Sequence, residues 1–457
     1  MSLTRLPALA AVWTCAVAFA ADDYVAHAPL REAGLVKHWQ LQLPLQPGQR
    51  VTDAYLVDDQ IYVGTLDGLV FCIHADTGVL RWGQKFTSAG FRLWKPCHAD
   101  DRVIIVTPPS ARQYDRVYGD PIRETVFRFP AGSPAVSNGT HFFLGGVDRR
   151  YYCFELDWDY EIWKNSTDGQ ITAAPVIFGP NAIAFASDDG GVYAGTIENK
   201  TYLWLKFAGA AITADLVSDE NGIYVASRDQ SLYLLDPVSG AARWRARFSG
   251  PLYESPVLTI DLAFQYCPDD GVCAVETAVQ IKGERIRWKL REGRRLLTVS
   301  GGKAYVLTTG DDVAVADLAT GKVDMKIPAA GFSLAIPRPN DGAVLIASGD
   351  GRLFCARGKD APPLSQSDIQ KVLAGRRSKA TSQPVAAVGE PPAPAPKPGI
   401  QTTVPGGPLG GKSKVSRGEA PTSGDKPAET PSTGEAPKDE PAKPGNGDAP
   451  EKETGGE

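Results

Sequence analysis

Apolar and polar positions along this chain repeat in blocks of about forty residues. Each block has a β-branched or aromatic run, a tight Asp-centred turn, a second such run, and a Trp further on. Tyr62-Val63-Gly64-Thr65-Leu66-Asp67-Gly68, then Val70-Phe71 and Trp82, is the clearest copy. Asp148, Asp189, Asp229, Asp270 and Asp350 take the same turn slot, with Gly310 replacing Asp in one copy. From Asp148 to Asp350 the steps are 41, 40, 41, 40 and 40 residues. The gap of 81 between Asp67 and Asp148 holds one degenerate unit with Pro108 near its slot, which makes eight units. Trp82, Trp163, Trp204, Trp244 and Trp288 recur near the end of successive units.

Each unit predicts four strands. Pro134, Pro175 and Pro256 stand where a first strand opens, a place where a missing N–H is tolerated. Asp-Gly pairs turn the chain between the second and third strands, because Gly accepts φ > 0. Gly78, Gly240 and Gly321 mark the next turn. Four strands per unit of about forty residues predict an all-β, eight-bladed β-propeller. The eighth unit has no fourth strand of its own. Leu35-Val36-Lys37-His38-Trp39-Gln40-Leu41 carries the missing Trp, so the N-terminal strand is expected to close the last blade and leave no open sheet edge.

Composition then divides the chain into three regions. Residues 1–20 have a basic start at Arg5, a short apolar stretch and the small-x-small Ala18-Phe19-Ala20, the form of a secretory signal. Residues 21–364 are the propeller. Residues 365–457 predict a disordered tail rich in Pro, Gly, Lys and Glu, with no aromatic residue to build a core. Within that tail a short helix over Ser367–Ala374, capped by Ser367, is expected. The tail's charge is polarised, +6 over 365–417 and −6 over 418–457. Its basic half suits an anionic wall polymer or membrane surface.

The net charge of −5 argues against a nucleic-acid binder. Of seven cysteines, Cys15 leaves with the signal. Cys72, Cys153 and Cys355 share one third-strand position and read as small buried apolar residues. Cys267 and Cys273 flank one hairpin turn and form a candidate disulfide in an exported chain. The five histidines show no zinc spacing, and no nucleophile elbow or phosphate loop is present.

The run Tyr62–Phe71 with Asp76-Thr77-Gly78 and Trp82 resembles the PQQ-like repeat of quinoprotein-type propellers. Tyr224–Asp229 through Asp236, Gly240 and Trp244 is similar, and Ala343–Cys355 matches in truncated form. The resemblance implies the propeller fold and two kinds of function. One is the scaffold protein of the outer-membrane β-barrel assembly machinery. The other is the PQQ-dependent dehydrogenases, which imply an adjacent Cys-Cys disulfide and a calcium held by Glu, Asn and Asp. No Cys-Cys pair occurs in this chain, and neither PQQ nor calcium is expected.

The expectation is an exported, monomeric, non-catalytic scaffold that binds envelope proteins. A quinoprotein oxidoreductase or a sugar-active propeller is the alternative. Arg112, Tyr114, Arg116, Tyr118 and Arg123, in the degenerate unit, are candidate interface anchors because Arg and Tyr dominate binding hot spots. A second basic run, from Lys282 to Arg295, predicts a solvated outer strand.

Overall fold

The computed structural model describes residues 23–86 and 90–382, with side chains described as far as Ala374. Its strands form eight four-stranded antiparallel sheets. Seven are consecutive meanders, from Val51–Lys85 in blade 1 to Gly293–Pro328 in blade 7. The first strands of neighbouring blades approach one another and line the axis. The fourth strands form the rim. In every blade but the second, the residue after the turn slot is left-handed: Gly68, Arg149, Gly190, Gln230, Gly271, Asp311 and Gly351 all have positive φ. Blade 2 turns at Pro108-Pro109 instead.

Blade 8 is closed from the other end of the chain. Its first three strands are Leu334–Ala335, Val344–Ala347 and Arg352–Gly358. Its outer strand is Leu35–Gln42, antiparallel to Arg352–Gly358 with Trp39 opposite Cys355. The closure expected from the repeat count is therefore present.

The recurring Trp is the pin between blades. Each lies across from a third-strand residue, Cys72 for Trp82 and Cys153 for Trp163, and a register shift follows directly. These cysteines and Cys355 are buried, as their shared position predicts. The indole N–H then reaches a backbone carbonyl of the next blade. Trp39 donates to Ala75 at 2.9 Å, Trp163 to Ile197 at 2.9 Å, Trp204 to Pro237 at 2.9 Å, Trp244 to Thr277 at 3.1 Å and Trp288 to Leu318 at 2.9 Å. Trp82 donates to Arg116 at 3.3 Å. The rings of Trp39, Trp82, Trp204 and Trp288 lie against a turn glycine: a Cβ on Gly78 would sit 2.7 Å from Trp39, and one on Gly321 would sit 2.5 Å from Trp288.

Four joints depart from this pattern. At that of blades 3 and 4 Trp163 keeps its bond to Ile197, but Lys200, with φ of 47°, takes the turn in place of glycine. Blade 2 carries Arg123 in the Trp slot, and it pairs with Asp159 of blade 3 at 2.7 Å. At the joint of blades 5 and 6 an inserted loop folds over Arg285, which sits 4.9 Å above the Trp244 ring. Arg285 is buried and donates to the carbonyls of Glu276, Ala278, Val279 and Ile281. Between blades 7 and 8 the slot holds Met325. There the helix α1 (His27–Glu32) drives Leu30 into the core beside Leu35, Tyr305 and Phe354.

The second helix, α2 (Gln366–Ser382), corrects the expectation of disorder from residue 365 onward. It is longer than expected, and the Ser365 hydroxyl, not Ser367, accepts the capping bond from the Asp368 N–H at 3.1 Å. No proline intervenes until Pro384, so nothing breaks the helix earlier. The signal at 1–20 and the polarised tail beyond Ser382 lie outside the described residues.

Candidate protein-interaction surfaces

The turn-slot aspartates serve the architecture. Asp189 accepts from the Tyr193 hydroxyl at 2.6 Å and from the Asp168 N–H, 21 residues upstream, at 3.2 Å. Asp229 takes the Gly209 N–H at 2.8 Å, and Asp270 takes the Ser249 N–H at 2.9 Å. Each clips its hairpin to the loop arriving from the previous blade. Asp148 accepts from Tyr152 at 2.5 Å, and Asp350 pairs with Arg352 at 3.0 Å. Asp67 occupies the equivalent slot, before Gly68.

The five Arg and Tyr residues of blade 2 do not form one exposed patch. Tyr114 is buried, its ring 4.3 Å from that of Phe86. Arg116 pairs with Asp59 of blade 1 at 2.7 Å, and its carbonyl receives Trp82. Arg123 holds blade 3, and Arg112 pairs with Glu124 on the neighbouring strand at 2.9 Å. Tyr118, partly buried in the turn beside them, donates its backbone N–H to Asp115 at 2.7 Å. The sequence reveals the residue types but not the partners of Arg123 and Arg116, which lie 36 and 57 residues away in the chain.

The Cys267–Cys273 bridge is also corrected. Both thiols are free. Cys267 lies opposite Gly271 and Cys273 opposite Gln265, so the two are diagonal neighbours. Diagonal pairs are separated by roughly 7–8 Å, beyond ordinary disulfide reach. Burial pushes the Cys273 thiol up to about 12.

The second basic run divides among three places. Arg285 is the buried plug. Arg287 and Lys289 stand on the rim, paired with Glu276 and Asp270. Arg294 and Arg295 turn to the axis, where both bind Glu254, at 2.5 and 2.9 Å. Asp53, buried on the first strand of blade 1, pairs there with Arg92 at 2.6 Å. Asp215 accepts the Ala174 N–H at 2.8 Å; burial raises its pKa, against the pull of Lys95 and Arg295. The axial opening is thus ringed by charges from several blades, each sign largely answered by the other.

Beside the closure joint, a cavity of about 390 Å³ lies between the start of α2 and blades 8 and 1, lined by His38, His74, Asp76, Arg357, Pro363 and Val372. Asp76 binds Arg338 at 2.7 Å and Arg357 at 2.6 Å, which ties blade 1 to blade 8. Burial pushes Asp76 up, but these guanidiniums bring its carboxyl below its ordinary value. Burial lowers both histidines. Among the described residues, no three His, Cys, Asp or Glu side chains come together as a metal-binding group.

The rim is uneven. Trp158, Tyr160 and Ile162 of blade 3 and Tyr202, Leu203 and Phe207 of blade 4 are exposed. Trp158 and Tyr160 pack in a tilted pair with centroids 5.2 Å apart.

Pins of Trp on Gly, Asp-clipped hairpins and a borrowed closing strand define an eight-bladed propeller of PQQ-like repeats. A family profile described as outer membrane protein assembly factor BamB matches residues 33–120, 188–281 and 277–364. These stretches cover more than half of the chain, which belongs to that family. No curated protein matches it in sequence. Among solved structures, BamB from Moraxella catarrhalis is similar with a TM-score of 0.56 and 15% identity, covering 72% of this chain and 99% of that one. The computationally designed protein Ika8 gives a TM-score of 0.53 and 13% identity, covering 69% and 98%. Both likenesses concern the fold.

Proposed function

We propose that this chain is an exported, non-catalytic scaffold that binds protein partners in the cell envelope. The observation that carries this reading is the family match over three stretches of the ring, to a profile described as an outer-membrane assembly factor. The signal-like residues 1–20 support export. The polar machinery at the hairpins is committed to joining blades, which favours a rigid platform over a reaction centre. Its working surfaces are then the loops and the rim.

The test pairs capture with localisation. Full-length protein, tagged and expressed in its host, should fractionate with the envelope and co-purify a defined set of envelope proteins. A cytosolic location would overturn the reading. So would robust dye reduction with alcohols or aldoses after adding PQQ and calcium.

A further inference from the structure

We propose that the outer strand of blade 4, Tyr202–Phe207, is a docking edge for an extended, acid-bearing segment of a partner protein. The proposal rests on the scaffold reading and specifies where and how a partner is held.

A free outer strand presents unpaired backbone groups, and proteins usually blunt such edges with charge or proline. Blade 5 exposes Arg243, Arg245 and Arg247 on its outer strand. Blade 6 has Arg287 and Lys289, and blade 7 has Asp324, Lys326 and the terminal Pro328. Most of these charges are answered within the chain: Arg243 by Asp236, Arg287 by Glu276, Lys289 by Asp270, and Lys326 by Glu292.

Blade 4 lacks that protection. Its outer strand reads Tyr-Leu-Trp-Leu-Lys-Phe, with Tyr202 61%, Leu203 42% and Phe207 49% exposed. Exposed apolar groups concentrated on an edge mark an interaction surface. Its one charge, Lys206, and Lys200 just before it have no acidic partner among the described residues, unlike Arg243, Arg287, Lys289 and Lys326 on the rims of blades 5 to 7. An acidic side chain brought by the occupant supplies the missing complement.

The ladder leaves the right backbone groups free. The Ala208 N–H bonds to Gly190 at 2.8 Å, and the register runs Phe207 to Gly191, Lys206 to Val192 and Leu205 to Tyr193. Hydrogen-bonded and non-bonded pairs alternate in an antiparallel ladder. Lys206 therefore turns its backbone groups inward, and Leu205 and Phe207 turn theirs outward. An added strand would take those groups and lay alternate side chains on the apolar strip. A second copy fits less well: antiparallel self-pairing about Trp204 and Leu205 sets each Lys206 against the other copy's Leu203 and brings no acid.

The experiment uses the full-length protein and two ten-residue peptides of alternating Val and Thr, identical except that one carries two central Glu residues and the other two central Lys. Hydrogen exchange over 202–207 should slow with the Glu peptide alone. Phe207→Pro removes an outward donor while sparing the inner ladder, and should weaken that peptide about tenfold, the loss of roughly 1.4 kcal/mol. Lys206→Glu leaves the backbone intact and should reverse the preference toward the Lys peptide. Equal binding of both peptides, or protection elsewhere than 202–207, would overturn the proposal. So would self-association of the wild type that Phe207→Pro abolishes, which would assign the edge to a second copy. If wild type and Phe207→Pro capture the same envelope proteins, the edge falls and the scaffold reading stands. If the wild type captures none, the scaffold reading falls with it.

Discussion

The joint between blades 8 and 1 and the joint between blades 2 and 3 face the same mechanical task with opposite chemistry. The first buries Trp39 on Gly78 and sends one N–H to Ala75. The second has no Trp, and exposed pairs, Arg123 with Asp159 and Arg102 with Asp157, span the gap. Their difference shows that at these joints pin and socket change together, whereas at the joint of blades 3 and 4 Trp163 keeps its place although Lys200 stands in the glycine slot. Where blade 2 gives up its Trp, blade 3 has Trp158-Asp159 in its turn in place of a glycine. Where blade 6 lacks the glycine, Arg285 covers Trp244. A joint is therefore a unit of two residues on two blades, and neither half is informative alone.

The comparison breaks most visibly at Trp39. Trp39→Ala should cost about 3–5 kcal/mol, because a buried indole leaves a cavity at the seam where the two ends of the ring meet. Thermal melting should fall far below that of a chain truncated after Ser382. Equal melting of the two would mean the seam is not what holds the ring. Gly78→Ala comes next, at roughly 1–3 kcal/mol, since a methyl group would meet the Trp39 ring at a residue with φ of 67°. If denaturant midpoints do not move, Trp39 is not seated on that turn.

Arg285→Met should lose about 1.5–3 kcal/mol, as a charged donor to four carbonyls is removed from a buried position. Exchange should quicken in 277–284 before anywhere else, and unchanged exchange there would show that the loop stands without its plug.

Acid should also separate the two joints. Burial lowers His38 and His74 below the ordinary 6.5, so the unfolded chain binds protons that the folded one resists. Stability is complete above 6.5 and declines as pH falls below it. The pair His38→Gln and His74→Gln should flatten that decline. An unaltered pH profile would place the acid sensitivity elsewhere. The smallest effect is expected at the other joint: Arg123→Met should change stability by about 1 kcal/mol or less, because the pair is open to water. A large loss in a melting curve would show that this bridge does more than an exposed pair can.

The contrast also explains what was legible in the sequence. Eight blades, the borrowed strand and the Trp positions follow from spacing, because each blade repeats its local chemistry. Joints without the repeat do not announce themselves. Arg123 and Arg116 look like surface anchors until Asp159 and Asp59 are seen beside them. Cys267 and Cys273 span a hairpin in sequence yet fall one pair out of register. Helix α1 has six residues, no side-chain cap and a proline, so nothing local marks it; the apolar gap beside Met325 is what it fills. Arg285 was one cation among seven in its run, and only the inserted loop wrapped around it reveals its place.

The borrowed strand carries a further consequence for how the molecule comes into being. Leu35 and its partner Gly358 stand about 320 residues apart in the chain. The first strand to be synthesised is among the last to find its neighbour. Until Arg352–Gly358 has been made, Leu35–Gln42 has no place in any sheet, and Trp39 has no blade behind it. Pairing so distant in sequence is intrinsically slow. The ring's completion should be the late step of maturation, and a chain interrupted before residue 352 should persist as an open arc with an apolar strand at its beginning.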